Sequence, residues 1–362
     1  MKITDNPFKF GSVVEGDFFT DRENDIRKSL EVIHSGNHLV LISPRRYGKT
    51  SLINKAVKQT GRPVVMLNLQ LITSNTDLAS EILKRVFKAY PMEKVRQLLK
   101  NFRFIPVLSL NPLSNGVDLS FAPSAPPKPI LEDVLTLIEE LGKKGKKPIV
   151  VLDEFQEIRS IDKNLDKILR SVIQTHSHVN YIFMGSQESL MRTIFEHKKS
   201  PFYHFGVLQT LSVIPHKDFM NFLIKGFSLL DKKKTESISA AILAFTRCHP
   251  YYTQQLAFHY FNSYKSYSDI TIDKVAEMII QQHDIDFERL WMSLNLTDRK
   301  LILQLISASK NEGYIKETSI PASTRYSVYK KLLAIGFLFQ DERGYNVEDP
   351  FFASWVWKRR MQ

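Results

Sequence analysis

An α/β fold, a parallel sheet flanked by helices with ligands at the C-terminal ends of its strands, is what this 362-residue chain predicts. Three observations carry that expectation. The apolar run His38-Leu39-Val40-Leu41-Ile42 passes through a short polar loop into the helical pattern Leu52-Ile53-Asn54-Lys55-Ala56-Val57. A second apolar run, Pro148-Ile149-Val150-Val151-Leu152, ends in Asp153-Glu154. A third, Asn180-Tyr181-Ile182-Phe183-Met184, ends in Gly185-Ser186-Gln187. Continuous apolar runs suit parallel strands covered on both faces. Open α/β sheets place ligands outside the carboxyl ends of such strands.

The loop after the first strand reads Ser43-Pro44-Arg45-Arg46-Tyr47-Gly48-Lys49-Thr50-Ser51. Its spacing matches the phosphate-binding loop GxxxxGK[ST], with Ser43 where the first glycine usually sits. Such a loop turns successive backbone N–H groups and a helix N-terminus toward a polyphosphate. Lys49 then reaches the β- and γ-phosphates, and the Thr50 hydroxyl coordinates Mg²⁺. Ser43 costs little in the β region and more if it must take positive φ. Asp153 is expected to hold Mg²⁺ through a water, and Glu154 to polarise a water for in-line attack on the γ-phosphate. Either Ser186 or Gln187 serves as a polar sensor of that phosphate. For each residue taken singly, an ordinary solvated strand end is the competing reading. The ligand predicted is a nucleoside triphosphate.

Together these segments resemble the archaeal-type ATPases, P-loop proteins of the STAND branch of the AAA-like (ASCE) NTPases, over nearly the whole chain. Asn6-Pro7-Phe8 and Phe18-Phe19-Thr20-Asp21-Arg22-Glu23 resemble the opening of that family, and Pro44 to Ser51 its "PRRxGKTS" loop. Asp153-Glu154-Phe155-Gln156 is similar to its "DEFQ" motif and Gly185-Ser186 to its "GS". His249-Pro250-Tyr251-Tyr252 resembles "GHPYY" in the helical lid, and Asp349-Pro350-Phe351-Phe352 the "DPFF" ending. The resemblance implies a three-layer αβα ATPase core, a helical lid and a winged helix-turn-helix domain, with ATP and Mg²⁺ as ligands and hydrolysis through Glu154, Lys49 and Ser186. It implies that Phe18, Phe19 and Arg22 line the base pocket, plain core packing being the alternative for the two phenylalanines. It also implies that His249 or its neighbours approach the phosphates; capping or packing at a helix start is the alternative. Ser43 and Cys248 stand where relatives usually carry glycine. His204-Phe205 follow Ser200-Pro201-Phe202-Tyr203 where many relatives carry an arginine. A finger would then come from Arg192, Arg170 or a partner chain, and its loss slows turnover by about 10³-fold or more.

The chain carries 50 Lys and Arg against 38 Asp and Glu, a net charge of +12. That balance favours acidic partners. The densest basic cluster, Gly142-Lys143-Lys144-Gly145-Lys146-Lys147, precedes the acidic strand, opposite the ligand edge, and reads as a solvated turn. Cys248 is the single cysteine, which excludes an internal disulfide and gives no zinc site. No apolar run approaches the ~20 residues of a membrane span, and the Met1-Lys2-Ile3-Thr4-Asp5 start lacks a signal-peptide apolar core. A cytoplasmic, non-membrane protein is expected.

The expected organisation is an ATPase core over 1–215, a helical lid over 216–285 and a winged-helix domain over 286–362. Residues 101–130 form an insertion, a β-ribbon followed by an extended Pro-rich stretch from Ala122 to Pro129. Within the core, helices are expected at 26–34, capped by Asp21 or Asn24, at 76–89, capped by Thr76 or Asp77, and at 162–177. A fifth strand spans Val207 to Ile214. Near the end, two helices and a hairpin follow the winged-helix plan. The second helix offers Ser323, Thr324, Arg325, Ser327, Lys330 and Lys331 to duplex DNA. Asp341 and Glu342 at the wing tip oppose a phosphate backbone. Trp355 and Trp357 are expected to pack this module in place. The leading expectation is an ATPase acting as a nucleotide-driven switch. The rivals are a DNA-binding protein with nucleotide as structural cofactor, and a protein-interaction scaffold with slow or no hydrolysis; a protein partner or self-association is expected as well.

Overall fold

The computed structural model describes residues 5–20, 22–99, 106–111, 116–121, 127–230, 233–309, 320–341 and 344–361. The chain divides into two compact units, a sheet unit of residues 23–43 and 52–211 and a helical unit of residues 1–22, 44–51 and 212–362. Among the described residues the strands are β1 (Leu39–Ile42), β2 (Val64–Asn68), β3 (Pro106–Asn111), β4 (Gly116–Phe121), β5 (Ile149–Asp153), β6 (Asn180–Gly185), β7 (Val207–Thr210), β8 (Leu338–Asp341) and β9 (Gly344–Val347). No helix among them is long and apolar enough to cross a membrane.

In the sheet unit five strands run parallel in the order β2-β5-β6-β1-β7. Every residue of β1 and β6 is buried. Successive side chains of a strand point to opposite faces, so both faces are covered. Burial lapses at the last residue of β5, Asp153. Register pairs Ile42 with Gly185 and Leu152 with Phe183, so β1, β5 and β6 end on one edge of the sheet. The core beneath that edge is aromatic: Phe155, Phe183, Phe195 and Phe202 are packed with ring centroids 4.6–5.7 Å apart.

Several local expectations need correction. Ser74, not Thr76 or Asp77, caps the helix Asn75–Ala89, its side chain accepting from the Asp77 amide at 3.1 Å. The helix read over 162–177 is shorter, Leu165–Ile173, and a separate one-turn helix, Ile158–Ile161, precedes it. Asp162 interrupts them, its carboxylate accepting from the Asn164 amide at 2.8 Å in an Asx turn. β7 stops at Thr210. Pro127 opens the helix Pro127–Lys143, where a missing N–H costs nothing, so the Pro-rich stretch is helical from that residue on. Helices Met92–Leu99 and Glu188–Glu196 had no counterpart in the sequence expectations. Asn24 lies inside the helix Glu23–His34, and Asp21 lies outside the described residues, as do 101–105, 112–115 and 122–126 of the expected insertion. β3 and β4 do pair antiparallel, Pro106 with Phe121.

The opposite edge of the sheet holds a titratable cluster. Glu139 is buried and accepts from the Ser177 and His178 amides and from His178 Nδ1 at 2.8–3.2 Å. A Cβ on Gly142 would stand 2.3 Å from the His178 carbonyl oxygen, so this close approach requires glycine. Residues 143–147 after it are exposed, a solvated basic turn. His38 Nδ1 accepts from the Tyr181 amide at 3.3 Å. Burial, with His176 and Arg170 nearby, pushes the His38 pKa down to about 4. Burial lowers His176 as well.

The helical unit has its own core, from Phe8 through Phe219, Phe227 and Phe261 to Trp291, Leu332, Phe351 and Trp355. Trp357 belongs to the same core. The opening segment is anchored in it: Phe8 packs so tightly on Gly226 that a Cβ there would meet the ring at 2.4 Å. Asn6 Nδ2 donates to the Phe258 carbonyl at 3.0 Å, and Gln254 Nε2 to that of Phe18 at 3.0 Å. At the C-terminal end, helices Leu296–Ser309 and Ala322–Ala334 precede the antiparallel hairpin β8–β9 and a last helix, Pro350–Arg360.

The depressed His38 pKa sets a pH dependence. A His held neutral in the fold binds fewer protons than in the unfolded chain, so its contribution is complete above about pH 6.5 and is lost as pH falls toward 4. That loss amounts to roughly 3 kcal/mol. His38→Asn keeps an acceptor for the Tyr181 amide and cannot titrate. Denaturant melts of both proteins at stepped pH will give a shallower loss of stability for the variant between pH 6.5 and 4; parallel slopes would refute the assignment.

Candidate functional site

The loop after β1 sits in the helical unit from Pro44 onward. Ser43 remains in the sheet ladder, its amide donating to the Gly185 carbonyl at 3.3 Å, and it does not take positive φ. Serine in place of glycine is therefore tolerated. The left-handed residues are Arg46, φ 65, and Gly48, φ 84. Left-handed residues among successive inward-turned amides are the backbone signature of an anion-binding nest. The helix Lys49–Gln59 starts at once, so its N-terminus and partial positive charge fall at the loop. The Lys49 ammonium is buried and donates to the Pro44 carbonyl at 3.4 Å across the loop. From Ser43 to Ser51 the chain carries three cations, Arg45, Arg46 and Lys49, and no acid. This donor set fits a polyanion.

The loop is held from behind. Arg22, expected at a base pocket, is buried and donates to the carbonyls of Tyr47 and Ser212, both at 3.0 Å. Ser51 Oγ accepts from the Val14 amide at 3.0 Å, tying the opening segment to the loop helix. The Tyr47 ring is buried edge-on to His249, centroids 4.8 Å apart. His249 caps the helix Pro250–Ser266: Nδ1 accepts from the Tyr251 and Tyr252 amides at 3.2 and 3.4 Å. The other ring nitrogen, Nε2, therefore carries the proton and donates to Glu348 at 3.0 Å. Of its two anticipated roles, capping is the one this geometry displays. Phe18 and Phe19 are only half-buried, unlike core residues. Arg45 and Arg46 are exposed, while Pro44 and Thr50 are half-buried.

The sheet unit supplies the acids. Asp153 ends β5, and its Oδ1 accepts from the Glu154 amide at 2.9 Å. Glu154 is left-handed, φ 54 and ψ 46, a conformation that costs a side-chain-bearing residue about 1–2 kcal/mol. Its Oε2 gathers three donors, Gln156 Nε2 at 2.6 Å, Ser186 Oγ at 2.7 Å and the Ser186 amide at 3.3 Å. Ser186, not Gln187, is thus the residue on the acid. Gln156 escaped sequence reasoning, although it closes the DEFQ motif. Gly185 has a steric reason to be glycine: a Cβ would stand 2.4 Å from Met191 and 2.6 Å from Gln156 Oε1.

The finger candidates are both engaged. Arg170 donates to the Pro201 carbonyl at 3.0 Å and to Gln174 at 2.7 Å, and lies 4.0 Å over the Phe205 ring. Arg192 bridges Glu188 and Glu196, each at 2.9 Å. On the helix Ala322–Ala334, residues 321–327 and Lys330 are exposed. Arg325 donates to the Ile320 carbonyl at 3.3 Å. Lys331 pairs instead with the fully buried Asp298 at 2.5 Å.

Residues 19–256 match the family described as an ATPase domain predominantly from Archaea. An uncharacterized ATP-binding protein of Pyrococcus abyssi is 25% identical over 185 residues, covering 48% of this chain and 54% of that protein. A second, from Methanocaldococcus jannaschii, is 25% identical over 166 residues, covering 42% and 45%. The chain spans about half the length of these curated relatives. Among solved structures, a Walker-type ATPase of P. abyssi superposes with a TM-score of 0.65 at 18% identity, covering 94% of this chain and 96% of that one. The Aeropyrum pernix ORC2 protein, solved as ADPNP–ADP complexes, does so at 0.56 and 14%, covering 96% and 97%. These likenesses identify the fold as that of a P-loop ATPase, α/β with a five-stranded parallel sheet. By its match over residues 19–256, the chain belongs to the family of ATPase domains found predominantly in Archaea.

Proposed function

We propose that this chain binds ATP with Mg²⁺, hydrolyses it slowly, and works as a nucleotide-driven conformational switch. The observation that carries the proposal is the loop Pro44–Ser51: left-handed turns at Arg46 and Gly48, a helix beginning at Lys49, and a buried ammonium beside them. Family membership supports adenine nucleotide as the ligand. In this reading the amides from Pro44 to Ser51 hold the phosphates and Lys49 neutralises their charge. Phe19 flanks the base. The Thr50 hydroxyl and the Asp153 carboxylate are the proposed Mg²⁺ ligands. When bound, the metal supplies charge neutralisation on the phosphate oxygens. Glu154 orients and deprotonates the attacking water, and Ser186 and Gln156 fix its carboxylate. Slow turnover follows from His204 at the finger position and from the engagement of Arg170 and Arg192. Residues 216–285 and 286–362, as lid and winged module, are the proposed moving parts.

A second reading, duplex DNA on the helix Ala322–Ala334, is favoured by the exposure of Arg325 and Lys330. Lys331 is less suited to it because the buried Asp298 already holds its ammonium.

Three outcomes are expected. In calorimetry with Mg·ATP, Lys49→Ala weakens binding by about 3 kcal/mol, the worth of charge-assisted contacts to phosphate. Glu154→Gln retains binding while phosphate release falls by about 10²–10⁴-fold; normal turnover in that variant would dismiss Glu154 as the base. If the second reading holds, a DNA mobility shift by the full chain weakens with salt, and Arg325→Ala with Lys330→Ala lowers its salt slope by about two. No shift at low salt removes DNA from consideration.

A further inference from the structure

Two side-chain chains run from the phosphate loop to the corner between β9 and the helix Pro350–Arg360, all within the helical unit. In the first, the Arg46 guanidinium lies 4.5 Å over the Tyr251 ring and donates to the Tyr252 hydroxyl at 3.4 Å. Burial and the field of the Asp349 carboxylate hold the proton on that hydroxyl. Asp349 Oδ1 caps the last helix, accepting from the Phe351 and Phe352 amides at 2.8 and 3.1 Å. In the second, the Tyr47 ring meets the His249 ring, and His249 Nε2 donates to Glu348. Adjacent loop residues, 46 and 47, thus reach adjacent carboxylates, 349 and 348.

The linkage is stiff. Tyr252 and His249 are 5% and 4% exposed. Immediately before His249, Arg247 and Cys248 both take left-handed backbone, φ 52 and 59, and Arg247 donates to Asn346 of β9 at 3.1 Å. The linkage is also electrostatic. Burial pushes the Asp349 carboxyl up, while the two capping amides, Tyr252 and the Arg46 charge oppose that shift. Moving the Arg46 guanidinium toward a polyanion on the loop removes positive charge from the field at Asp349. It also strips a donor from the Tyr252 hydroxyl, which sits in the field of Asp349.

We propose that Glu348 and Asp349 are positioning residues for the phosphate loop, and that through Tyr252 and His249 they report nucleotide on the loop to the C-terminal helix. The inference rests on the ATP reading given above. The chain carries its own reporters, because its three tryptophans all lie in this region. Trp355 and Trp357 are on the Pro350–Arg360 helix, and Trp355 Nε1 donates at 2.7 Å to Asp284 of the helix that bears Trp291.

The experiment pairs calorimetry with tryptophan emission on the full chain, using Mg·ATP and a non-hydrolysable analogue. Asp349→Asn keeps an oxygen for the capping amides and removes the charge. Tyr252→Phe keeps the ring and removes the relay hydroxyl. Thermal melts of both variants establish that they fold. Wild type is expected to change its emission on binding. Each variant is expected to bind about 5–10-fold more weakly and to lose most of that change. Undiminished emission change in both folded variants overturns the proposal. So does wild-type binding heat without any emission change. Absence of binding heat in folded wild type is a different failure: it removes the nucleotide reading itself, and this inference with it.

Discussion

A loop that holds an anion with its own backbone cannot also satisfy that backbone internally. Amides that face a ligand do not close turns, so the loop must be supported by groups outside it. In this chain the support is a buried guanidinium. Arg22 takes the Tyr47 carbonyl on one side and the Ser212 carbonyl on the other, joining three stretches of sequence at one charged fork. Around it, Ser51 receives the opening segment and Tyr47 leans on His249. The distant segment Asn6–Phe8 is bound into the same helical unit, through the Phe258 carbonyl and the space left by Gly226.

The acidic side follows a parallel logic. Glu154 is kept in backbone that only surrounding contacts can enforce, and its carboxylate is fixed by Ser186 and Gln156. Gln156 fits there because Gly185 has no side chain. A carboxylate on a rigid strand end, braced by a neighbouring strand, loses little orientation to thermal motion. The same bracing occupies one of its oxygens with three donors.

Much of the sheet was legible in the sequence, because a strand covered on both faces writes an unbroken apolar run. β1, β5 and β6 are such strands, and their ends coincide with the motifs read there. The edge strand β7 was less legible: Val207 and Leu208 are exposed, so burial does not mark where pairing stops. Helix Met92–Leu99 buries only Val95, Leu98 and Leu99, too short a stripe to announce itself. Left-handed backbone at Arg46 and Glu154 has no signature, since both residue types rarely adopt it and surrounding packing imposes it. The pairing of His249 with Glu348 joins positions 99 residues apart, and no local pattern encodes it. The motifs containing them were visible separately; their meeting was not.

Cys248 stores backbone strain just before the helix Pro250–Ser266. It is a residue with a side chain in backbone that glycine adopts without penalty, directly after Arg247 in the same region. Each such residue costs the fold about 1–2 kcal/mol without making any contact weaker. Glycine at 248 would hold the same turn before His249 without that cost.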